Sequence, residues 1–293
     1  MHTHVPLIGQ VALSAWFTWL VVAILVGSYV ATQEARRAGD SPLELLRVAM
    51  IGTVAGVVGA RLGHLFTASR DVYVADPLAL LRFWEGGMVL YGGLVLGVAG
   101  CALWIRHRGL RFLRVADAAA PALALGIALG RVGCLSAGCC YGRPIDWGTG
   151  VEWPWGTVFL AGVVPEPLRG VALHPTQVYA AVAGIALFLA LRALRSRQRF
   201  DGQAFAALLM GYPVLRSLNE LFRLDLERGF LLPDLFGKTI STSQALSLPV
   251  FAAGAVLMVL ARRSAEREGT LGLTPRAAHD ARLRRRVEQA LAA

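Results

Sequence analysis

The chain is predicted to be an all-α integral membrane protein with seven transmembrane helices, its amino terminus outside, its carboxyl terminus cytoplasmic, and a loop region at about 138–170 on the outer side. Three observations lead there. The 293 residues are 56% hydrophobic and only 16% charged, with a mean hydropathy of +0.55, too apolar for a soluble domain. The apolar residues gather into runs near the roughly 20 residues that a helix needs to cross a bilayer. Arginines cluster in alternate segments between those runs, the pattern that marks cytoplasmic loops.

In chain order the apolar spans are read at about 11–31, 44–67, 87–105, 117–137, 171–191, 203–221 and 243–261. The first lacks a basic leading region and is followed by Gln33-Glu34-Ala35-Arg36-Arg37 instead of small residues, so it is expected to be retained and not cleaved as a signal peptide. Arg36 and Arg37 follow span one, Arg106, Arg108, Arg111 and Arg114 span three, Arg192, Arg195, Arg197 and Arg199 span five, and Arg262, Arg263 and Arg267 span seven. The intervening loops, 68–86, 138–170 and 222–242, balance their few arginines with Asp71, Asp76, Glu85, Asp146, Glu152, Glu166, Asp225, Glu227 and Asp234. The net charge of +10 is thus spread over short loops, without the single aromatic-studded patch of a nucleic-acid binder, and no nucleic-acid partner is expected. Residues 1–263 are read as one membrane domain. The tail, 264–293, with Arg282, Arg284, Arg285 and Arg286, reads as a basic cytoplasmic segment, either solvated or able to touch anionic lipid.

On this topology the polar residues of the spans fall at their outer ends. Arg61 and His64 lie late in span two, Tyr91 early in span three, Arg131 late in span four, His174 and Gln177 at the opening of span five, and Arg216, Glu220 and Arg223 late in span six. Ionisable groups at membrane depth are costly and usually line a cavity or pathway. One arginine near a helix end is ordinarily a snorkelling anchor; four from three spans at one level point to a shared site. Arg216, Glu220 and Arg223 stand at i, i+4 and i+7, so on a helix they share a face on which Glu220 could hold both guanidiniums; the plainer reading is an ion-pair ladder that serves insertion. The centre is placed at Gly130–Pro144, where an apolar run gives way to a polar loop carrying Arg131, Cys134, Cys139, Cys140 and four glycines. There Arg131 offers a guanidinium suited to gripping phosphate through two parallel hydrogen bonds.

The same residues carry a family resemblance. Ile8-Gly9-Gln10-Val11, Gly59-Ala60-Arg61-Leu62-Gly63, Trp84-Glu85-Gly86-Gly87-Met88 with Gly92-Gly93-Leu94, Gly130-Arg131-Val132-Gly133, His174-Pro175-Thr176-Gln177, Gly211-Tyr212 with Arg216, Glu220 and Arg223, and Ser241-Thr242-Ser243-Gln244 occur in an order that resembles the prolipoprotein diacylglyceryl transferases over about Ile8 to Arg262. The resemblance implies a bacterial inner-membrane enzyme with its site toward the periplasm. It would move a diacylglyceryl group from phosphatidylglycerol to the lipobox cysteine of a secreted prolipoprotein, releasing glycerol 1-phosphate. It assigns Arg131, Arg216 and the Tyr91 position to catalysis. Arg61, Gly142, Tyr212, Glu220 and Arg223 would line the donor pocket or fix the arginines, and His174 and Gln177 are added to the substrate-binding set.

This chain departs from the family pattern at the proton-transfer residues. Tyr91 replaces a histidine, Trp16 a tyrosine, Cys134 and Ala137 asparagines, and Cys139 a glutamate. A tyrosine of reference pKa about 10 is a poor base for a thiol of about 8.5, although its hydroxyl could orient a phosphate. Cys134, Cys139 and Cys140 could form a disulfide between Cys134 and one of the later pair, or present a reactive thiolate near Arg131. Metal binding has only His174 or His64 as an obvious fourth ligand, so neither a metal nor another cofactor is expected, and Cys101 reads as packing. Two functions stay open: the diacylglyceryl transfer, with this or another acceptor, and a redox-active or non-catalytic lipid-binding protein on the same scaffold.

Overall fold

The computed structural model describes residues 4–6, 12–67, 73–74, 76–82, 87–145, 155–160, 164–224, 230–235 and 238–292. Ile8–Val11, Trp84–Gly86 and the acidic Asp71, Glu85, Asp146, Glu152, Asp225 and Glu227 lie outside the described residues. Eight long helices make up most of the rest. They are α1 (Ala15–Ala38), α2 (Pro42–Thr67), α3 (Leu90–His107), α4 (Phe112–Ala137), α5 (Thr176–Ser196), α6 (Gln203–Glu220), α7 (Thr242–Arg267) and α8 (Pro275–Ala292). Three short antiparallel pairs accompany them: β1 (His4–Pro6) with β2 (Ala12–Ser14), β3 (Thr157–Val158) with β4 (Ala172–Leu173), and β5 (Phe230–Leu235) with β6 (Lys238–Ser241).

Six of these helices, α1 to α5 and α7, are long and apolar enough to cross a membrane. Helix α6 fills the place of the expected sixth span, but Arg216, Asn219 and Glu220 in its last turns hold its hydropathy down. The expected first span also shifts: residues 12–14 form β2, and the helix runs from Ala15 to Ala38.

The helices associate through small residues. Gly52, Gly56, Gly59 and Gly63 of α2 face Cys101, Gly97, Gly93 and Gly92 of α3 and its N-cap residue Val89 in antiparallel order, and a Cβ added to Gly92 would come within 2.3 Å of the Gly59 carbonyl. Such close backbone approach supplies dispersion contacts where lipid offers no hydrophobic drive. Helix α1 lies along α4 in the same antiparallel way, with Trp16 and Trp19 against Gly133 at one end and Arg114 donating to the Ala38 carbonyl (2.8 Å) at the other. Helix α5 packs on α4 through Gly184, and α7 on α6 through Gly254.

The arginine-rich ends are cross-linked to one another. Asp117 of α4 is fully buried and accepts from the backbone N–H groups of Gly202 and Phe205 (2.9 Å), and so caps the start of α6 from a neighbouring helix. Arg114 pairs with Asp40 (2.6 Å), and Arg192 and Arg195 reach the buried Glu34 (3.4 and 3.7 Å). The basic tail joins this end as helix α8, where Arg282 donates to Asp201 (2.7 Å) and Glu268 (2.8 Å). The chain is thereby locked at one end, and its opposite end, where α4 and α6 finish and α5 and α7 begin, holds the residues singled out above.

Candidate active site

The loop after α4 is shaped by its own sequence. Gly138 takes a left-handed conformation (φ 71°) and closes the helix, so that the Cys139 N–H returns to the Cys134 carbonyl (3.1 Å). Cys140 is also left-handed (φ 60°), and among the described residues it is the only non-glycine with positive φ. Two side chains of α5 hold that strained turn: Thr176 Oγ1 donates to the Cys140 carbonyl (2.6 Å) and Gln177 Nε2 to the Cys139 carbonyl (2.8 Å).

Beyond it, Gly142 is wedged between two backbones. Its N–H donates to the His174 carbonyl (3.1 Å), and a Cβ placed there would meet that carbonyl at 2.5 Å and the Phe222 carbonyl at 2.8 Å. Arg143 N–H donates to the Phe222 carbonyl (3.0 Å), and Gly142 bridges Arg223. One short loop therefore ties the end of α4 to the start of α5 and the end of α6. That stitch determines where the three arginines stand.

Arg131, Arg216 and Arg223 share one electrostatic neighbourhood with Tyr212 and Glu220. Glu220, with its side chain 2% exposed, pairs with Arg216 and lies 3.9 Å from Arg223. The helix ends at Glu220, so Arg223 reaches the carboxylate from the turn after α6 and not from a further helical turn. Arg216 also donates to Ser243 Oγ of α7 (2.8 Å). Arg131 makes no side-chain hydrogen bond among the described residues. Two of the cations are thus held by side-chain partners, and Arg131 is not. Arg131, Tyr212, Arg216 and Asn219 line a small cavity with Ala124, Ala183, Gly184 and Leu187. Asn219 borders it and also a larger cleft of about 380 Å³, lined by Trp155, His174, Tyr179, Leu215, Leu218 and Phe222.

Cys134, Cys139 and Cys140 stand beside these cations, and Cys101 lies apart at the α2–α3 contact. All four are free thiols, and the sulfurs of Cys134, Cys139 and Cys140 lie within 4.8 Å of one another. Hydrogen bonds from Cys134 and Cys139, reinforced by Arg223 and Arg131, push the Cys140 thiol pKa down, while the same hydrogen-bonded contacts and burial push that of Cys139 up. His174 borders the larger cleft and is tied into its wall. It is 3% exposed, its Nδ1 lies 3.1 Å from Tyr179 Oη, its ring packs on Phe222, and burial, then the Arg143 charge, lower its pKa from the usual 6.5.

Arg61 and Tyr91 lie on the α2–α3 pair, apart from the residues that line the two cavities. The Arg61 guanidinium donates to the carbonyls of Ala79, Leu80 (3.3 Å), Arg82 (3.2 Å) and Gly87 (2.9 Å) and lies over Tyr73, so it ties the α2–α3 connection to α2. His64 Nδ1 joins it through Tyr73 Oη (2.8 Å). Tyr91, in the first turn of α3, is half exposed and makes no side-chain hydrogen bond among the described residues. Sequence reading passed over Thr176, Ser243 and Asn219. Thr176 and Ser243 stood inside quoted motifs with no role attached, whereas Asn219 gave no signal.

A bundle of membrane-length apolar helices, with clustered guanidiniums at one end and an aromatic-lined cleft beside them, defines a multi-pass membrane protein. The family model for prolipoprotein diacylglyceryl transferase matches residues 4–260, and the chain belongs to that family. It is 36% identical over 215 residues to a phosphatidylglycerol–prolipoprotein diacylglyceryl transferase of Methylibium petroleiphilum, covering 73% of this chain and 76% of the relative. A protein of the same description from Nitrosospira multiformis is 36% identical over 73% of this chain and 69% of its own length. One from Verminephrobacter eiseniae is 37% identical over 74% of each.

Proposed function

We propose that this protein transfers a diacylglyceryl group from phosphatidylglycerol to the lipobox cysteine of a secreted prolipoprotein, releasing glycerol 1-phosphate. It does so as a seven-crossing inner-membrane enzyme with its amino terminus and active site on the outer side and its arginine-rich ends in the cytoplasm. Membership of the family supports the reaction, and the alternation of arginine-rich and acidic segments supports the orientation.

The observation that carries the reading is the cluster of Arg131, Arg216 and Arg223 beside the 380 Å³ cleft. In the transfer, the acceptor sulfur forms a bond to the glyceryl carbon as that carbon's bond to the phosphate oxygen breaks. The electron pair leaves with the phosphate, so negative charge grows on the departing group. Guanidiniums already fixed by Glu220 and Ser243 stabilise that charge without reorganising during the step. Arg131, with no protein acceptor of its own, takes the phosphate directly; Arg216 is second, and Arg223, Tyr212 and Glu220 hold the set. The thiol proton must also be removed, and Tyr91 is a weak base for that.

The test is restoration of lipid labelling of a reporter precursor in cells depleted of their own transferase. The chain is expected to restore it. Arg131→Ala should lower it by about 100-fold or more, the usual loss when a preorganised charge-stabilising donor is removed. Cys101→Ala should have no effect, because Cys101 faces Val48 at the α2–α3 contact. Absence of labelling at normal expression, or equal labelling by wild type and Arg131→Ala, would contradict the proposal.

A further inference from the structure

Three sulfurs converge next to the arginines, and the transferase reading above leaves the acceptor thiol without an efficient base. Their placement follows from the fold. The Gly138 cap turns the chain back so that Cys139 and Cys140 come beside Cys134, and Gln177 and Thr176 then fix both carbonyls. Sulfur separations of up to 4.8 Å are close to the roughly 3.8 Å spacing set by bonds of about 2.3 Å to one tetrahedral centre. A disulfide would need two of the three to approach to about 2.05 Å and would leave the third out. Among the described residues, no histidine or carboxylate joins the cluster. The described residues therefore bring together three sulfur atoms, one short of a closed four-ligand structural site and the number of protein ligands that a catalytic site keeps.

We propose that Cys134, Cys139 and Cys140 bind a thiophilic divalent cation, zinc being the expected ion, whose fourth position takes the acceptor cysteine thiol. This rests on the transferase reading above and specifies how its acceptor is activated. A thiol bound to such an ion gives up its proton outright, here to solvent water, so no side-chain base is required. The bound sulfur then forms the carbon–sulfur bond, the carbon–oxygen bond to phosphate breaks, the phosphate leaves toward Arg131, and the neutral thioether, a weaker ligand, departs from the ion. Three cysteine sulfurs bound as thiolates to one divalent ion would carry a net single negative charge, with the guanidiniums of Arg131 and Arg223 in the same neighbourhood. The sequence expectation of no metal turned on the want of a fourth protein ligand; the substrate itself supplies one.

The experiment measures metal and reaction separately on the full-length protein purified in detergent. Elemental analysis is expected to find about one zinc per chain, retained in Cys101→Ser and Arg131→Ala and lost in Cys134→Ser and Cys139→Ser. Because Cys134 is buried, the milder exchange Cys140→Ser is included, with thermal unfolding as a check on folding. Cobalt substitution should give thiolate-to-cobalt charge-transfer bands, and these should change when a lipobox peptide is added but not when its cysteine is replaced by serine. Metal-free protein that still labels the reporter would overturn the metal site and leave the transferase reading standing. Loaded protein whose cobalt spectrum ignores the cysteine peptide would overturn the acceptor role. Metal-bound Arg131→Ala that fails to label the reporter supports both readings, since it separates acceptor activation from phosphate binding.

Discussion

At the scale of single residues, the site is governed by atoms that have no room to move. Gly142 sits where a methyl group would lie 2.5 Å from one carbonyl and 2.8 Å from another, so Gly142→Ala must push apart the α4 loop, the start of α5 and the end of α6. Overpacking of this kind costs about 1–3 kcal/mol. The expected result is a lower unfolding temperature in detergent together with a loss of labelling activity; unchanged values of both would show that the loop does not clamp the arginines. His174 gives a pH dependence. Its pKa is lowered from 6.5 by burial and then by the Arg143 charge, so the folded protein binds fewer protons than the unfolded chain, and stability is present above pH 6.5 and falls as pH drops through the lower folded value. Unfolding temperature should therefore decline on acidification below about pH 6.5, and less so in His174→Gln. Legibility at this scale was uneven. Arg131, Arg216 and Glu220 stood out because charge inside an apolar run is rare. The roles of Thr176 and Gln177 did not, because a hydrogen bond to a carbonyl 36 or 38 residues away leaves no trace in local sequence.

At the scale of elements, each of the seven expected spans overlaps a helix among the described residues, and six of those helices are long and apolar enough to cross a membrane. Their boundaries were less legible. Helix α1 extends through the polar Gln33–Arg37 to Ala38, since Glu34 is neutralised by Arg37, Arg192 and Arg195, two of them on another helix. Helix α6 is too polar to qualify on hydropathy and is held by neighbours, capped by Asp117 and tied through Arg216 to Ser243. The α2–α3 pair rests on small residues instead. Gly92→Leu would drive a side chain into the Gly59 carbonyl, 2.3 Å from the first added carbon, and separate the two helices along their length. The expected outcome is a marked loss of folded protein on expression, with the milder Gly56→Ala largely tolerated because the nearest atom to its added carbon is the Gly93 carbonyl oxygen at 3.6 Å, an ordinary contact distance. Equal yields from both variants would contradict a contact set by backbone approach.

At the scale of the whole molecule, the charges are divided between two ends that do different work. One end holds paired arginines, Asp117 and the docked helix α8, a network of ion pairs that fixes how the helices are arranged. The other gathers the guanidiniums of Arg131, Arg216 and Arg223 and the thiols of Cys134, Cys139 and Cys140, to which the proposed reaction is assigned. The tail illustrates what composition alone could not give: a basic segment rich in exposed arginine reads as solvated, yet Arg282 finds Asp201 and Glu268 because α6 and α7 bring those carboxylates to one place. The central claim is that the fixed cations at the second end receive the phosphate of phosphatidylglycerol while a cysteine thiol takes its diacylglyceryl group. The most direct measurement is the mass of a lipobox peptide after incubation with the purified protein in vesicles that contain or lack phosphatidylglycerol. The account predicts a gain of one diacylglyceryl group that requires phosphatidylglycerol, the peptide's cysteine and Arg131. A peptide that stays unmodified in phosphatidylglycerol vesicles, or one modified equally in their absence or by Arg131→Ala, would contradict it.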